Sequence, residues 1–207
     1  MHIIKVAKKG KSDVTIYLDN DSELFLTIEV FLKSGLKKGD EISDDRFSLL
    51  IEQNKLFHIK KKAFRLLGRR QHSASELRRK LWNRDYQQSL IDEVIEDLTK
   101  NGYLDDKNFV LEFIAEKSQR KNWSSKKIKA ELLRRGISSN RIGQILTDQT
   151  QDFDYENALK LSKKKFEALL KRKLELKDLR DKLSTYLFSK GFEYDLIREV
   201  VSQTLKK

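Results

Sequence analysis

The 207 residues include 44 lysines and arginines against 32 aspartates and glutamates, a net charge of +12, with no cysteine, no proline and three histidines. These counts exclude disulfides, thiolate zinc sites and cysteine nucleophiles, and they disfavour a histidine metal cage or a serine triad. No run of 18 apolar residues and no secretory signal occurs, so we expect a cytoplasmic protein without a membrane span.

The first 58 residues predict a small β-containing module. Val14–Leu18 and Leu24–Ile28 are rich in β-branched and aromatic residues, and a polar turn separates them, which is typical of a β-hairpin. Gly35 then indicates the end of a short helix over residues 29–34. This module is nearly neutral, because it contains 9 basic and 10 acidic residues.

From about Asp45 onward the hydrophobic period is helical, and the sequence repeats itself. A shift of 51 residues aligns six apolar positions without a gap, and a shift of 102 with a four-residue insertion extends the pattern to a third copy. We therefore predict a mainly α protein with three tandem three-helix repeats in an elongated array, over residues 59–104, 105–150 and 151–207. The aligned positions begin with Leu77, Ile128 and Leu179 and continue with Leu81, Leu132 and Leu183, and with Tyr86, Ile137 and Phe192.

Helix boundaries within the repeats follow from capping residues. Ser73 and Glu76 have the spacing of a capping box. The apolar residues of a helix over residues 89–100 share one face, and Gly102 indicates its end. Further boundaries are indicated by Asp105 or Asp106 at the start of the next helix, and by Gly136 and Gly191 as stop signals.

Three basic clusters lie in these repeats, where 35 basic residues outnumber 22 acidic ones. A single cluster is more often a solvated helix face than a binding site. Clusters at equivalent places in three repeats favour a surface for a polyanion or an acidic protein. The clusters are Lys60, Lys61, Lys62, Arg65, Arg69 and Arg70; Arg120, Lys121, Lys126, Lys127, Lys129, Arg134 and Arg135, around Trp123; and Lys160, Lys163, Lys164, Lys165, Lys171, Arg172 and Lys173.

Residues 59–207 resemble the RecX family, regulators of the bacterial recombinase RecA, and the first 58 residues resemble it loosely. The Asn-Gly-Tyr-Leu-Asp-Asp-x-x-Phe junction at residues 101–109 is the most specific carrier of this resemblance. Many relatives open the second helix of the second repeat with Gly and Pro, whereas this chain has Asn122, Trp123, Ser124 and Ser125. The other carriers are Ala63–Leu67, Ser73-x-x-Glu76-Leu77-x-x-Lys80-Leu81, Ile128-x-x-Glu131-Leu132-x-x-Arg135-Gly136-Ile137 and Lys190-Gly191-Phe192-x-Tyr194-x-x-Ile197.

The resemblance implies a non-enzymatic regulator, without a cofactor, that binds the RecA filament on single-stranded DNA. It would inhibit ATP hydrolysis, strand exchange and filament extension, and so modulate homologous recombination, DNA repair and the SOS response. We expect a monomer, and the role of the N-terminal module stays open between a lid, a dimer contact and a partner surface. The candidate RecA or DNA contacts are Arg69, Arg70, Arg78, Arg79, Arg120, Lys121, Trp123, Lys126, Lys127, Arg134, Arg135, Lys163, Lys164 and Lys165.

Other readings of the sequence are weaker. Gly10, Lys11 and Ser12 resemble the end of a phosphate-binding loop, but Lys5 stands where its first glycine belongs. The acidic pairs of the chain are explained by helix capping, which disfavours a nuclease. The main alternative is a general basic DNA-binding protein that acts on duplex DNA without recombinase specificity. Trp123, Trp82 and Tyr86 are candidates for base stacking, although the repeat register places Tyr86 in the core.

Overall fold

The computed structural model describes residues 1–146, 151–172 and 174–206, which form three strands, ten α-helices and one π-helical turn over Glu116–Arg120. Contacts divide the chain into a first unit, Met1–His72 with Leu77–Tyr103, and a second unit, Ser73–Glu76 with Leu104–Lys207. The elements are β1 (Ile3–Lys9), β2 (Asp13–Leu18), β3 (Glu23–Thr27), α1 (Ile28–Ser34), α2 (Asp44–Leu67), α3 (Ala74–Trp82), α4 (Gln88–Lys100), α5 (Asp106–Ala115), α6 (Ser125–Arg134), α7 (Ser139–Leu146), α8 (Gln151–Leu170), α9 (Leu176–Ser189) and α10 (Tyr194–Leu205).

The N-terminal module is an antiparallel sheet in the order β1-β2-β3. The predicted hairpin is confirmed, with Thr15 paired to Phe25 in β2 and β3. β1 was not predicted, because lysines interrupt its apolar residues. It pairs with β2 through the turn that contains Gly10, so the Gly-Lys-Ser segment connects two strands rather than a strand and a helix.

α2 joins the sheet to the first repeat within the first unit. The hydroxyl of Ser43 caps it by accepting a hydrogen bond from the Arg46 N–H. Its first half packs on the sheet at Leu50, and its second half packs against α4. The predicted boundaries after residues 58, 104 and 150 stay predictions: the first falls within α2, and the last adjoins residues that the structure does not describe.

The three-helix repeats are confirmed, and their aligned positions form the cores. Leu77, Ile128 and Leu179 are all buried, as are Leu81, Leu132 and Leu183 and the pair Ile137 and Phe192. Tyr86, in contrast, is only half-buried. In the second unit, α5, α6 and α7 enclose one hydrophobic core, and α8, α9 and α10 enclose another.

The described part of the chain has no helix that is both long and apolar enough to cross a membrane. Among the same residues, no three histidine or carboxylate side chains are grouped as a metal site requires. Asp105 caps α5 by accepting from the N–H groups of Lys107 and Asn108. One of the acidic pairs therefore has the helix-capping role that the sequence suggested.

Candidate functional site

A buried serine organises the first of two equivalent contacts in the second unit, which we call the first junction. The Ser73 hydroxyl accepts a hydrogen bond from the Glu76 N–H at 3.0 Å and donates one to the Arg135 carbonyl oxygen at 2.6 Å. The N–H of Ala74 donates to Asp106 Oδ1 at 2.8 Å. The helix start and the chain after α6 therefore satisfy each other's polar groups, which would otherwise be buried without partners.

The same arrangement recurs 51 residues later, at what we call the second junction. The Ser124 hydroxyl accepts from the Lys127 N–H at 3.2 Å and donates to the Lys190 carbonyl oxygen at 3.3 Å. The N–H and the hydroxyl of Ser125 both donate to the Asp154 carboxylate, at 2.8 and 2.6 Å. Burial raises the pKa of Asp154, and the hydrogen bonds from Ser125 oppose this rise.

The predicted stop glycines lie where these junctions close. A Cβ at Gly136 would lie 2.1 Å from Ser75 Oγ, and a Cβ at Gly191 would lie 2.7 Å from Ser124 Oγ. Both glycines also have positive φ angles, of 80° and 89°. Asp85 occupies the equivalent turn of the first repeat with φ of 59°, but its side chain is exposed. Glycine is therefore needed for close approach as well as for the left-handed turn.

The two junctions differ in charge. At the first, Arg135 pairs with Glu76 at 3.2 Å and with Glu131 at 3.1 Å. The repeat alignment places Lys127 at the position of Glu76 and Lys190 at the position of Arg135. The Nζ of Lys127 donates to the Ser189 carbonyl oxygen at 2.7 Å. The opposite charges of the first junction are thus replaced by two lysines at the second.

Two series of alternating cations and aromatic rings lie in the second unit, one ending at Lys127 and the other beginning at Lys190 of the second junction. In three places an aromatic residue lies four positions before a lysine. This spacing places the ring and the ammonium group on one side of a helical turn. The ammonium nitrogens of Lys117, Lys127 and Lys190 lie 5.0–5.5 Å from ring centroids. We call the whole set the cation–aromatic ladder: Arg135, Phe113, Lys117, Trp123, Lys127, Lys190, Tyr186 and Lys165.

The π-helical turn after α5 brings Trp123 under Lys117. Asn122 leaves the turn with φ of 49°, and the N–H of Trp123 donates to the Lys117 carbonyl oxygen at 2.9 Å. The Lys117 ammonium then lies between two rings, 5.2 Å from Phe113 and 5.5 Å from Trp123. The Trp123 ring is partly buried against the core of the second repeat.

Several predicted contact residues form ion pairs within the protein. Arg78 pairs with Asp92 at 2.7 Å, and Lys126 pairs with Glu193 at 2.9 Å. Arg134 pairs with Glu131 at 2.8 Å, and this hydrogen bond holds the pKa of Glu131 below its usual value. Arg135 also pairs with Glu131, so the second cluster contains internal ion pairs as well as exposed cations.

Most of the remaining predicted cations are exposed. Arg70 is exposed and donates to the Gln71 carbonyl oxygen. Lys165 lies over Tyr186, and Lys173 of the third cluster lies outside the described residues. Within the part of the chain that the structure describes, no ion pair to a carboxylate is recorded for the exposed cations Arg69, Arg79, Arg120, Lys121, Lys163 and Lys164.

Sequence reasoning missed Lys117, Tyr186 and Lys190 as members of the ladder. The available signal was an aromatic residue four positions before a lysine, at 113 and 117, at 123 and 127, and at 186 and 190. The charge difference between the junctions was also present in the 51-residue alignment, although only the structure shows that the residues concerned meet.

Comparison with protein families supports the three-repeat organisation. Models described as the first, second and third three-helix domains of RecX match residues 60–98, 105–146 and 152–201. The curated Regulatory protein RecX of Clostridium beijerinckii is 30% identical over 204 residues, covering 99% of this chain and 93% of that protein. The protein of the same name from Clostridium botulinum strain Alaska E43 is 28% identical over 202 residues, covering 98% and 94%.

Solved structures share the fold. A crystal structure of regulatory protein RecX superposes with a TM-score of 0.69 at 21% identity, covering 97% of this chain and 98% of that one. The crystal structure of RecX from Lactobacillus salivarius gives a TM-score of 0.61 at 22% identity, covering 73% and 97%.

Proposed function

This chain belongs to the RecX family of regulatory proteins, and we propose that it acts as a non-enzymatic regulator of the RecA recombinase. In this proposal it binds the RecA filament formed on single-stranded DNA. It inhibits ATP hydrolysis, strand exchange and filament extension. It would act in the cytoplasm on homologous recombination, DNA repair and the SOS response.

The observation that carries the proposal is the set of uncompensated lysines at the second junction and along α8. A regulator that acts by binding needs a surface complementary to its target rather than a catalytic constellation. A nucleoprotein filament presents phosphates and repeated protein surfaces, so a chain of linked repeats gains affinity from several weak contacts made together. Contacts to phosphates would make this affinity fall as salt rises.

A general basic DNA-binding protein is the alternative, and the net charge of +12 favours it. The two functions differ in their preferred target. A general binder takes naked duplex DNA at least as tightly as a filament, because the duplex has the higher density of phosphate charge. A filament regulator prefers the surface that RecA and DNA form together.

Fluorescence anisotropy with labelled DNA separates these functions. The unlabelled protein is titrated into the same strand as bare single-stranded DNA, as duplex, and as a filament assembled with RecA and a slowly hydrolysed ATP analogue. We expect the filament to bind at least about tenfold more tightly than the duplex, a difference of about 1.4 kcal/mol. Equal or tighter binding to the duplex would overturn the proposed function in favour of the general binder.

A further inference from the structure

We propose that one side of the second unit binds the phosphate backbone of a nucleic-acid strand. The contact runs from Lys127 and Lys190 at the second junction across Tyr186 to Lys165. Arg172 and Lys182 line a groove between α8 and α9 together with Lys165. We call these five cations the phosphate track. The inference rests on the proposed function in one respect, since the strand concerned would be the single-stranded DNA of the filament.

The two halves of the cation–aromatic ladder differ in how their charges are balanced. In the first half, Arg135 is paired with Glu76 and Glu131, and Lys117 is paired with Glu116 at 2.7 Å. In the second half, no ion pair is recorded for Lys127, Lys190 or Lys165 with any described carboxylate. Only the second half therefore has positive charge available for an external anion.

The comparison between junctions strengthens this point. Equivalent positions hold Glu76 and Arg135 at the first junction, where they neutralise each other at 3.2 Å. Lys127 and Lys190 occupy these positions at the second junction, so both equivalent side chains are positively charged there. Both junctions have a serine that caps a helix and donates to a carbonyl oxygen, so this hydrogen-bond pattern forms with either set of charges. A bound phosphate would supply the negative charge that a glutamate supplies at the first junction.

A groove between α8 and α9 continues the track beyond Tyr186. It has a volume of about 540 Å³ and includes the cations Lys165, Arg172 and Lys182 among its lining residues. Asp181 is the one carboxylate among the described residues that line it, and Thr185 contributes a hydroxyl group, whereas the Ser189 hydroxyl donates to the Tyr186 carbonyl oxygen. Cations together with hydroxyl donors are the usual partners of backbone phosphate oxygens.

The aromatic rings hold the lysines in place. The Nζ atoms of Lys165 and Lys190 both lie 5.2 Å from the Tyr186 centroid, and Lys127 lies 5.0 Å from that of Trp123. A lysine that is already ordered loses less side-chain entropy when it binds. Since the ammonium groups cover these rings, the rings position cations here and do not serve as open platforms for bases or apolar side chains.

The test compares two double variants of the full chain that change the net charge equally. Lys165→Gln with Lys190→Gln removes the cations on both sides of Tyr186. As the control, Lys37→Gln with Lys38→Gln removes two exposed lysines between α1 and α2 that belong to none of the three basic clusters. The probe is a fluorescein-labelled oligothymidylate, whose affinity is measured by anisotropy at several salt concentrations.

We expect the track variant to lose at least about tenfold in affinity, and the slope of log affinity against log salt to shrink by about 1.4, or 0.7 for each lost phosphate contact. The control variant is expected to stay within about threefold of the parent. Equal losses in the two variants would overturn the inference, because they would mean that net charge alone decides binding. If the track variant fails to fold by circular dichroism, Arg172→Gln with Lys182→Gln carries the same test.

Tryptophan emission reports on the same surface independently. The chain has two tryptophans, so Trp82→Phe leaves Trp123 as the single tryptophan, which can be excited selectively over the tyrosines. Oligothymidylate is expected to change the emission of Trp123, because Lys127 shifts its ammonium from the ring toward phosphate, and the track variant should weaken this response. Tight oligonucleotide binding with unchanged emission would overturn the inference.

Inhibition of RecA ATP hydrolysis, measured with the same variants, separates this inference from the proposed function. Weaker inhibition by the track variant with unchanged oligonucleotide affinity would mean that these lysines contact the recombinase, which overturns the inference. A parent protein that binds through the track but never inhibits RecA would contradict the proposed function and support the track. Duplex competitors in the anisotropy assay show whether the track prefers one strand or two.

Discussion

The Ser73 hydroxyl donates a 2.6 Å hydrogen bond to the backbone carbonyl of Arg135, 62 residues further along the chain. The same hydroxyl accepts from the first turn of α3, so one buried side chain satisfies a helix start and a helix end together. Ser124 repeats this relationship with Lys190. Where the side chains of Arg135 and Lys190 lie, and hence where the candidate surface begins, depends on these two serines.

Replacing Ser73 with alanine tests the first junction. The variant loses a helix cap and leaves the Arg135 carbonyl oxygen without this donor, so we expect the free energy of unfolding to fall by about 2–3 kcal/mol. Ser138→Ala is the matched control, because Ser138 is exposed and only accepts from the Arg141 N–H. It should cost about 1 kcal/mol. Urea denaturation measures both, and equal losses would show that the bond to Arg135 contributes nothing.

Glycine substitutions separate turn strain from close approach. Gly136 and Gly102 have similar φ angles, of 80° and 75°, but only Gly136 has a neighbour within 4 Å of an added Cβ. Gly102→Ala should therefore cost about 1 kcal/mol from backbone strain, and Gly136→Ala at least 1–2 kcal/mol more. Adding Ser75→Gly should recover part of the second loss. Denaturation curves that are the same for both alanine variants would contradict the packing assigned to the junction.

The adjacent residues Arg134 and Arg135 should respond differently to the same substitution. The Arg135 side chain is 22% exposed and pairs with the buried Glu76, whereas that of Arg134 is 75% exposed. Arg135→Met should lower the free energy of unfolding by about 2 kcal/mol, because Glu76 and Glu131 both lose a charged hydrogen-bond donor. Arg134→Met should cost less than about 1 kcal/mol. Thermal or urea unfolding distinguishes them, and similar losses would refute the structural role of Arg135.

Glu131 should make stability depend on pH. The hydrogen bond from Arg134 and the charges of Arg134 and Arg135 lower its pKa in the folded protein below the usual 4.5, although partial burial opposes them. A lowered pKa stabilises the folded state above the unfolded value, and this stabilisation is lost as pH falls from about 4.5 through the folded pKa. Glu131→Gln should therefore lose less stability than the parent between pH 6 and pH 3.

The exposed Glu167 provides the control for this pH effect. Glu167→Gln should follow the parent protein over the same range, as measured by urea denaturation at each pH. If the Glu131→Gln protein loses as much unfolding free energy as the parent when the pH falls, the ion pairs of Glu131 do not stabilise the folded state.

The repeats and their boundaries could be predicted because they depend on local patterns. The 51-residue period aligned Leu81, Leu132 and Leu183, and all three are buried because each faces the core of its own repeat. Gly136 and Gly191 were identified as helix stops from their sequence context. In contrast, β1 was missed because lysines interrupt its apolar residues, and its pairing with β2 depends on tertiary contacts rather than on propensity.

The candidate surface was harder to predict because a sequence does not show which of its charged residues form ion pairs with one another. Arg134 and Arg135 looked equivalent to Lys163 and Lys164, yet the first two form ion pairs with Glu131 and the last two are exposed on α8. The pair of Lys127 and Lys190 was equally hidden. These residues are 63 positions apart, and only the packing of α6 against the end of α9 brings their backbones together.

The most direct test of the proposed function is RecA ATP hydrolysis on single-stranded DNA, titrated with this protein far below one molecule per recombinase subunit. The RecA protein should come from the same organism. We predict inhibition at these low ratios, because a regulator that acts on the filament needs to occupy only a few sites. A protein that inhibits by covering the DNA would need far more molecules than are present. Inhibition that begins only when the DNA is saturated, or no inhibition at all, would contradict the proposal and identify a general nucleic-acid-binding protein with the RecX fold.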